Sequence, residues 1–554
     1  MTLLPLKDWI IQVRREFHRE PELSFKEFKT QEKIIKTLND LGIDPEKIAE
    51  TGVVATIHGS AQHPCIALRA DIDALEVSEE PTALNRDYIS ENAGIMHACG
   101  HDGHIAIVLG AARILQEVRE SLPGSVRLIF QPAEEEPPGG AVQVVEDGGL
   151  DGVDAIIGIH IFGYTDLGRI AFRPGRFMAS SNVFSIKITG KGGHHSNPEE
   201  CIDPILIASD FIRAINARVK SRIDPARYVL GIGRISGGAQ FNRTPDEVDM
   251  LGSFRTFDDQ DTETIERTIK QTLEALMDTY RKDGVADLPT YDLDLTHGYP
   301  VLVNDEAFTD AVGAALKKKF PEVDCEAEPI FGAEDFAFYL EKVPGTYILL
   351  GTRNVEKGIL EGNHSSRFDI DEDVLITGTE ILQTIVLDFL GGPDAYFRMK
   401  IETFPGSWTG AIDATAAVKE LVLGVLREEG FEYDPAKDFD LDDIEKYYLQ
   451  NRGIFYTGVL DGEIIGTSAV RRIDDEKCEI KRIYVRNDFR GKGFGRALFT
   501  WALKFAEENY STVILKTDVR MGNAINMYRR NGFSVVKEED EVMYFEKTGL
   551  RARL

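Results

Sequence analysis

The sequence predicts an α/β protein of at least three packed units, in which one α/β layer is interrupted by a smaller α+β insert and then followed by a further α/β domain. Three observations carry this. The chain has 554 residues, several times the roughly 100 to 200 usual for one domain. Short apolar runs alternate with amphipathic helical stretches over about the first 175 residues. The texture then changes near Ser180 and reverts near Gly298.

Taken in order, VVATIHG, CIALRADI, VRLIFQPA and AIIGIHI are Val- and Ile-rich strand runs, and HDGHIAIVLGAARILQEVRES is a helix between them. In the second stretch NVFSIKITGKGG alternates as a strand and ECIDPILIASDFIRAINARV is an amphipathic helix. VLGIGRISGG and VDMLGSFRTF are strands, and DTETIERTIKQTLEALMDTYRKDG is a long helix. The α/β texture resumes through FTDAVGAALKKKF, TYILLG and VLITGTEILQTIVLDFL, until Gly391-Gly392-Pro393-Asp394 breaks the helix and marks a domain boundary. Beyond it come a strand (YFRMKIETF), two helical segments, paired strands in GVLDGEIIGTSAV and a Gly-rich passage from strand to helix.

Composition narrows the function classes. With 43% hydrophobic and 28% charged residues the chain is that of a globular protein, and it contains no apolar run of the ~18 residues that span a bilayer. The N-terminus lacks the basic start, clean apolar core and cleavage site of a signal peptide, so a cytoplasmic location is expected. Five scattered cysteines argue against a disulfide framework. A formal charge of −30 disfavours nucleic acid and anionic membranes as partners and leaves small-molecule substrates.

Two constellations carry chemistry. In His97-Ala98-Cys99-Gly100-His101-Asp102-Gly103-His104, thiolate and imidazole donors lie two residues apart before a helix, a spacing that suits metal binding, although His-rich loops also occur without metal. Glu134 and Glu135 follow the strand VRLIF, where α/β sheets place their sites; alone, such a run reads as a solvated turn. His160 ends a strand and His364 sits in a loop, positions equally open to structural roles. The second constellation is the strand Cys478–Val485 followed by Arg490-Gly491-Lys492-Gly493-Phe494-Gly495-Arg496 opening a helix. Glycines there let backbone N–H groups approach an anion at a helix N-terminus and cradle a pyrophosphate. The acidic residue and repeated unit of a Rossmann site are missing.

In their order, REFHREPELSFKE, LRADIDAL, MHACGHDGH, FQPAEE, GKGGHH, FNRTPDEV, FGAEDFAFYL and GNHSSRFDIDED resemble the metal-dependent amidohydrolases that include hippurate hydrolases, aminoacylases and auxin-conjugate hydrolases. The resemblance implies a zinc-peptidase-like catalytic domain over residues 1–178 and 298–392, with an inserted lid and dimerisation domain over 179–297. It implies two divalent cations held by Cys99, His101, Glu135, His160 and His364, with manganese, zinc, cobalt and nickel all open, and Glu134 as general base. It makes His194 the residue that reaches across a homodimer, or a higher homo-oligomer, to the tetrahedral oxyanion. Asn242 and Arg255 are candidates for the substrate carboxylate; a strand-surface salt bridge is the competing reading of Arg255. Glu136-Pro137-Pro138-Gly139-Gly140 and Arg243-Thr244 depart from the family pattern and leave the acyl and amino-acid pockets open.

Residues 395–554 resemble the GNAT acetyltransferases, an α/β fold, through the Arg-x-x-Gly-x-Gly loop and the Tyr528-x-x-x-Gly532-Phe533 element. The resemblance implies acetyl-CoA as cofactor, bound by Val485, Arg490, Gly491, Lys492, Gly493, Phe494, Gly495, Arg496 and Asn523. Tyr528 becomes the candidate acid for the departing thiolate, or else a packing residue, and Glu479 a candidate base. The expectation is a bifunctional enzyme that removes an acyl group, foremost acetyl, from an amino-acid nitrogen and acetylates an amine. The rival is a hydrolase carrying a non-catalytic module that senses acetyl-CoA.

Overall fold

A computed structural model describes residues 5–283, 288–391, 400–405, 413–428, 430, 433–460, 462–490, 494–539 and 541–548. The chain divides into two compact units, one of residues up to Asp305 with Lys319–Leu390, the other of Gly391 onward together with Glu306–Lys318. The last of these segments lies inside the span assigned to the catalytic domain from sequence, and in the structure it groups with the second unit.

The first unit opens with helices α1 (Leu6–Arg19) and α2 (Phe28–Asp40), then strands β1 (Pro45–Ile48), β2 (Gly52–Ile57) and β3 (Cys65–Asp71). Helix α3 (His101–Glu117), β4 (Ser125–Gln131), β5 (Ala155–Asp166), β6 (Ile170–Ala171) and β7 (Gly175–Met178) follow. The insert supplies β8 (Asn182–Thr189), β9 (Gly193–His194), β10 (Tyr228–Gly237), β11 (Arg243–Thr244), β12 (Glu247–Thr256) and β13 (Thr290–His297), after which come β14 (Leu302–Asn304) and β15 (Gly345–Arg353).

Seven strands form the main sheet in the order β1-β2-β4-β3-β5-β15-β6. Its middle, β4-β3-β5-β15, is parallel. Parallel strands are covered on both faces and so read as continuous apolar runs, and every residue of β3 is accordingly buried. Helix α3 lies so close to β5 that a Cβ at Gly103 would fall 2.4 Å from Ile161 Cδ1. The insert is a separate antiparallel sheet, β10-β12-β8-β13. The helices Pro204–Lys220 and Asp259–Tyr280 share its core through Phe211, Ile215, Ile265 and Ile269. Strand β13 was not expected from sequence, although its alternation TYDLDLTH is a strand signal in plain view.

The second unit contains the helix Glu306–Lys317 and a seven-stranded sheet. Its strands are β16 (Lys400–Thr403), β17 (Ile454–Leu460), β18 (Glu463–Arg472), β19 (Lys477–Val485), β20 (Thr512–Asp518), β21 (Ser534–Glu539) and β22 (Val542–Thr548), in the order β16-β17-β18-β19-β20-β22-β21. The helix Ala414–Glu428 packs with Phe455, Val459 and Ala469 in one core. The helices Phe494–Asn509 and Gly522–Arg530 pack with Cys478, Ile480 and Val513 in another. Strands β19 and β20 are parallel but pair only over Lys477–Glu479 and Thr512–Ile514. Both then run on unpaired with each other, so the sheet splays from Ile480 onward. At the splay a bulge opposite Ser468 puts Arg482 at φ 60°.

Arg482 anchors the acceptor side of the splay. Its Nη1 donates to Asp438 (2.9 Å) and its Nε to Asp440 (3.2 Å), while Tyr448 and Lys481 also bond Asp440. Burial by itself would raise the Asp440 carboxyl, but the hydrogen bond and charge of Arg482, joined by Lys481, outweigh it and hold the pKa at about 2. A folded-state value below the ordinary carboxylate range contributes stability that is complete above about pH 4 and is lost as pH falls toward 2. Hydrogen exchange across β19 should therefore accelerate over that window in the wild type. In Asp440→Asn, protection is expected to be low already at neutral pH and to change little across the same window.

Candidate metal centre and cofactor slot

The carboxyl ends of the parallel strands and the start of α3 bring the expected ligands together. Gly100, at φ 91°, is the left-handed N-cap of α3. That conformation suits glycine, and it places Cys99 before the turn and His101 after it. Ligand atoms of Cys99, His101 and His160 lie within 4.8 Å of one another, as do those of Cys99, Glu135 and His364, and those of His101, Glu134 and Glu135. Cys99 Sγ is 3.5 Å from His160 Nε2, and His364 Nε2 is 3.3 Å from Glu135 Oε1. These overlapping triads share Cys99 and His101, the arrangement expected of two adjacent ions.

The outward ring nitrogens are set by what the other nitrogen binds. His101 Nδ1 faces the Asp73 carbonyl (3.0 Å) and carboxylate (3.2 Å), and His160 Nδ1 faces the Ile161 carbonyl (2.8 Å). Each therefore turns Nε2 toward the cluster. His101 Nε2 and Glu135 Oε1 are buried without a hydrogen-bond partner; such atoms are rare in native proteins and mark a place where a cation fits. The electrostatics agree. Burial pushes the Cys99 thiol well up, and Glu135, Glu134 and Asp71 add to it, a field that a divalent cation would offset.

Glu134 is buried at 7% exposure. Burial first, then Glu334 and Glu135, raise its carboxyl well above the ordinary range. Its backbone is fixed, with Tyr299 Oη donating to the Glu134 carbonyl and Glu135 N–H donating to Asp73 Oδ2 (3.0 Å).

Behind the ligands lies a layer that the sequence reading quoted only as motif text. Arg69 Nη1 donates to Asp71 Oδ2 (2.6 Å), its Nε to Gln131 Oε1 (2.8 Å), and its Nη2 to Glu334 (3.0 Å) and Asp335 (2.9 Å). His104 Nδ1 pairs with Asp71 Oδ1 (2.5 Å), which leaves its Nε2 to accept from Ile161 N–H (2.8 Å) beside His160. Asn363 Nδ2 donates to the carbonyls of Cys99 (3.0 Å) and Ile161 (3.1 Å). The available signal was charge among apolar residues: LRADID, mostly on β3, and FGAEDF, in the loop before β15, carry ionised groups where only paired ones are tolerated. His97, part of the octet read as metal-binding, joins none of the triads. Burial pushes its pKa down to about 4, and both its ring nitrogens lack hydrogen-bond partners.

The insert residues stand apart from the cluster. His194, on β9, is exposed, its Nδ1 2.8 Å from Ser196 Oγ. Asn242 is exposed, and its carbonyl accepts from His195 N–H (3.2 Å). Arg255, on β12, is half-buried, and its Nη1 donates to the Phe331 carbonyl (2.9 Å), three residues before Glu334. No ion pair from Arg255 occurs among the described residues, so the salt-bridge reading finds no support there.

In the second unit Val485 ends β19, and its carbonyl accepts from Arg490 Nε (3.1 Å). Phe494 and Gly495 open the following helix. Gly491, Lys492 and Gly493 lie outside the described residues, and of Arg496 and Asn523 only the helical backbone is described. Tyr528 is buried against Phe499, Phe533 and Phe545, with ring centroids 5.4, 6.4 and 5.6 Å away. Burial, then Tyr484 on the splayed part of β19, raise its hydroxyl pKa. Glu479 accepts from Arg471 Nη2 at 2.6 Å. Its strand neighbours Cys478 and Ile480 belong to the Tyr528 core, so Glu479 points to the opposite face. The structure does not bring the two candidate acid–base residues together.

Residues 67–388 match the peptidase family M20/M25/M40, and residues 421–533 match the acetyltransferase (GNAT) family. The chain is 41% identical over 377 residues to thermostable carboxypeptidase 1 of Saccharolobus solfataricus, covering 67% of this chain and 93% of that protein. It is 40% identical over 388 residues to the N-acetyl-L-cysteine deacetylase of Bacillus subtilis, covering 69% and 88%. Among solved structures, the YXEP protein of Bacillus subtilis, described as a dinuclear metal-binding peptidase of the M20 family, aligns with a TM-score of 0.60 at 33% identity over 70% of this chain and 99% of that one.

Because Asp73 both orients His101 and holds the Glu135 amide, Asp73→Asn should weaken divalent-metal affinity by about 10- to 100-fold. A competition titration against a chromophoric chelator measures this directly.

Proposed function

The chain belongs to the peptidase M20/M25/M40 family and carries a C-terminal GNAT domain, and from that premise we propose a bifunctional enzyme that hydrolyses N-acyl amino acids, foremost N-acetyl ones, and acetylates an amine. The observation that carries the first activity is the convergence of Cys99, His101, Glu135, His160 and His364 around the buried Glu134. Relatives named as N-acetyl-L-cysteine deacetylase and IAA-amino acid hydrolase support the substrate class.

Cys99, His101, Glu135, His160 and His364 would hold divalent cations, which when bound would supply Lewis acidity toward the scissile carbonyl and the attacking water. Glu134 accepts the water's proton as oxygen bonds to the acyl carbon, and delivers it to the leaving nitrogen as the C–N bond breaks. In this reading Arg255, half-buried and without an acidic partner among the described residues, holds the substrate carboxylate, with Asn242 as a second donor. His194 donates to the oxyanion from a partner subunit in this reading. Strand β10 supports such a dimer: it is the edge of the insert sheet, with Val229 and Ile235 about half exposed.

In the second unit, the splay between β19 and β20 would take acetyl-CoA, with the N-terminus of the helix Phe494–Asn509 favouring its pyrophosphate. An uncharged amine would attack the thioester carbonyl, the C–S bond would break with Tyr528 protonating the departing thiolate, and the proton lost by the nitrogen would pass to solvent water, from which Tyr528 is restored. The Arg471 contact argues against Glu479 as base. Acetylation and deacetylation in one chain would bracket a step done by another enzyme, as in salvage or detoxification of modified amino acids such as S-substituted cysteines.

The hydrolase is tested by following amine release from a panel of N-acetyl amino acids, N-acetylcysteine derivatives and one N-blocked dipeptide. Glu134→Ala should lower kcat by about 100- to 10,000-fold while metal stays bound. Release from the dipeptide alone would replace the deacetylase reading with a carboxypeptidase one. For the second unit, acetyl-CoA consumption with an amine panel should fall at least about 10-fold in Tyr528→Phe. Acetyl-CoA binding without any turnover would make the domain a sensor instead.

A further inference from the structure

The residue before the general base has an unusual backbone: Ala133 sits at φ 52°. A residue with a side chain adopts this left-handed conformation only when its surroundings enforce it. The enforcing contacts can be named. The Ala133 carbonyl accepts from Gly140 N–H (3.0 Å), Tyr299 holds the Glu134 carbonyl, and Asp73 holds the Glu135 amide. The Ala133 N–H donates to Glu27 Oε1 at 2.8 Å.

Glu27 reaches this turn from a distant part of the chain. It lies at the start of α2, 106 positions away in sequence, and its exposure is 0%. A buried carboxyl is costly unless both oxygens are satisfied; here the second, Oε2, accepts from Thr51 Oγ1 at 2.7 Å, and Thr51 is itself fully buried. One helical turn on, Gln31 Nε2 donates to the carbonyls of Glu50 (3.0 Å) and Gly52 (2.9 Å), which ties α2 to the same region. Glu27 belongs to none of the ligand triads; whatever it does for hydrolysis it does through the turn.

We propose that Glu27 is a positioning residue for amide hydrolysis: by accepting the Ala133 N–H it holds the left-handed turn from which Glu134 and Glu135 project, one as proton carrier and one as metal ligand. The inference rests on the hydrolase reading above. Without the acceptor, Ala133 relaxes toward negative φ and swings the Glu134 carboxylate from its place, with an effect on kcat rather than on substrate affinity.

The test uses the full-length, metal-loaded protein and the N-acetyl amino acid that the wild type turns over best. Glu27→Gln keeps an oxygen for the Ala133 N–H and should stay within about 3-fold of wild type, whereas Glu27→Leu should lose up to about 100-fold in kcat, the scale of a 1 Å misplacement, with KM changed less than about 3-fold. Ala133→Gly removes the strain, since glycine takes φ 52° freely. Combined with Glu27→Leu it should recover at least about 5-fold of the loss, a coupling that a space-filling role would not produce. Thr51→Val, a smaller perturbation, should lower kcat by about 3- to 10-fold at constant KM, and serves if Glu27→Leu does not fold. Wild-type kcat in Glu27→Leu or Thr51→Val, or a loss that Ala133→Gly does not relieve, overturns the proposal. The cobalt-substituted protein gives a readout independent of turnover: the visible absorption bands should shift in Glu27→Leu and not in Glu27→Gln. Unchanged bands overturn the positioning role, whereas a wild type that hydrolyses no substrate, with those bands shifting as expected, defeats the hydrolase reading alone.

Discussion

Arg69, at 2% exposure, gathers three carboxylates and an amide from three separate stretches of chain. Its guanidinium sits on the central strand β3 and reaches Asp71 on the same strand, Gln131 at the end of β4, and Glu334 and Asp335 in the segment before β15. Three carboxylates thus share that single guanidinium, and Glu134 lies near enough to Glu334, Glu135 and Asp335 for their charges to raise its own carboxyl. Such a group cannot stay fully ionised in a water-poor interior without further positive charge. Bound cations would relieve that crowding, and the triads around Cys99 and His101 gather donors that fit them.

That constraint orders the rest of the first unit. Asp71 is shared between Arg69 and His104, and His104 in turn fixes the Ile161 amide beside His160. Asp73 is shared among His101, Ser24 and the Glu135 amide. His101 and Glu135 are therefore aimed by a group, Asp73, that is itself held by Ser24, the condition under which a metal site keeps its geometry. The left-handed turn at Ala133 is the strained point of the arrangement, and strain of this kind persists only where neighbours over-determine it.

The second unit solves a different problem. Its sheet pairs normally on both flanks but opens between β19 and β20, exposing backbone groups that the ladder would otherwise satisfy. Such groups are costly when buried without partners, and a ligand extended along the opened strand would satisfy them. The Arg482, Asp438 and Asp440 cluster braces one side of the opening, and the aromatic core around Tyr528 braces the other.

The sequence by itself determined the fold class and the interrupted α/β layer, because those depend on local periodicity, and it supplied the candidate ligands through the resemblance that its motifs carry. Cys99, His101, Glu134, Glu135, His160 and His364 were all named from their motifs, and the structure brings all six to the clusters described above. Only the tertiary structure decided what aims them. Arg69 to Asp335, Glu27 to Ala133 and Asn363 to Cys99 span 266, 106 and 264 positions, and no periodicity connects residues so far apart. It also decided against pairing Glu479 with Tyr528, since strand alternation sends neighbouring side chains to opposite faces and the Arg471 contact holds Glu479 on the far one. Local chemistry is written in the order of residues, whereas the direction in which a side chain points is set by packing between segments that the chain brings together only on folding.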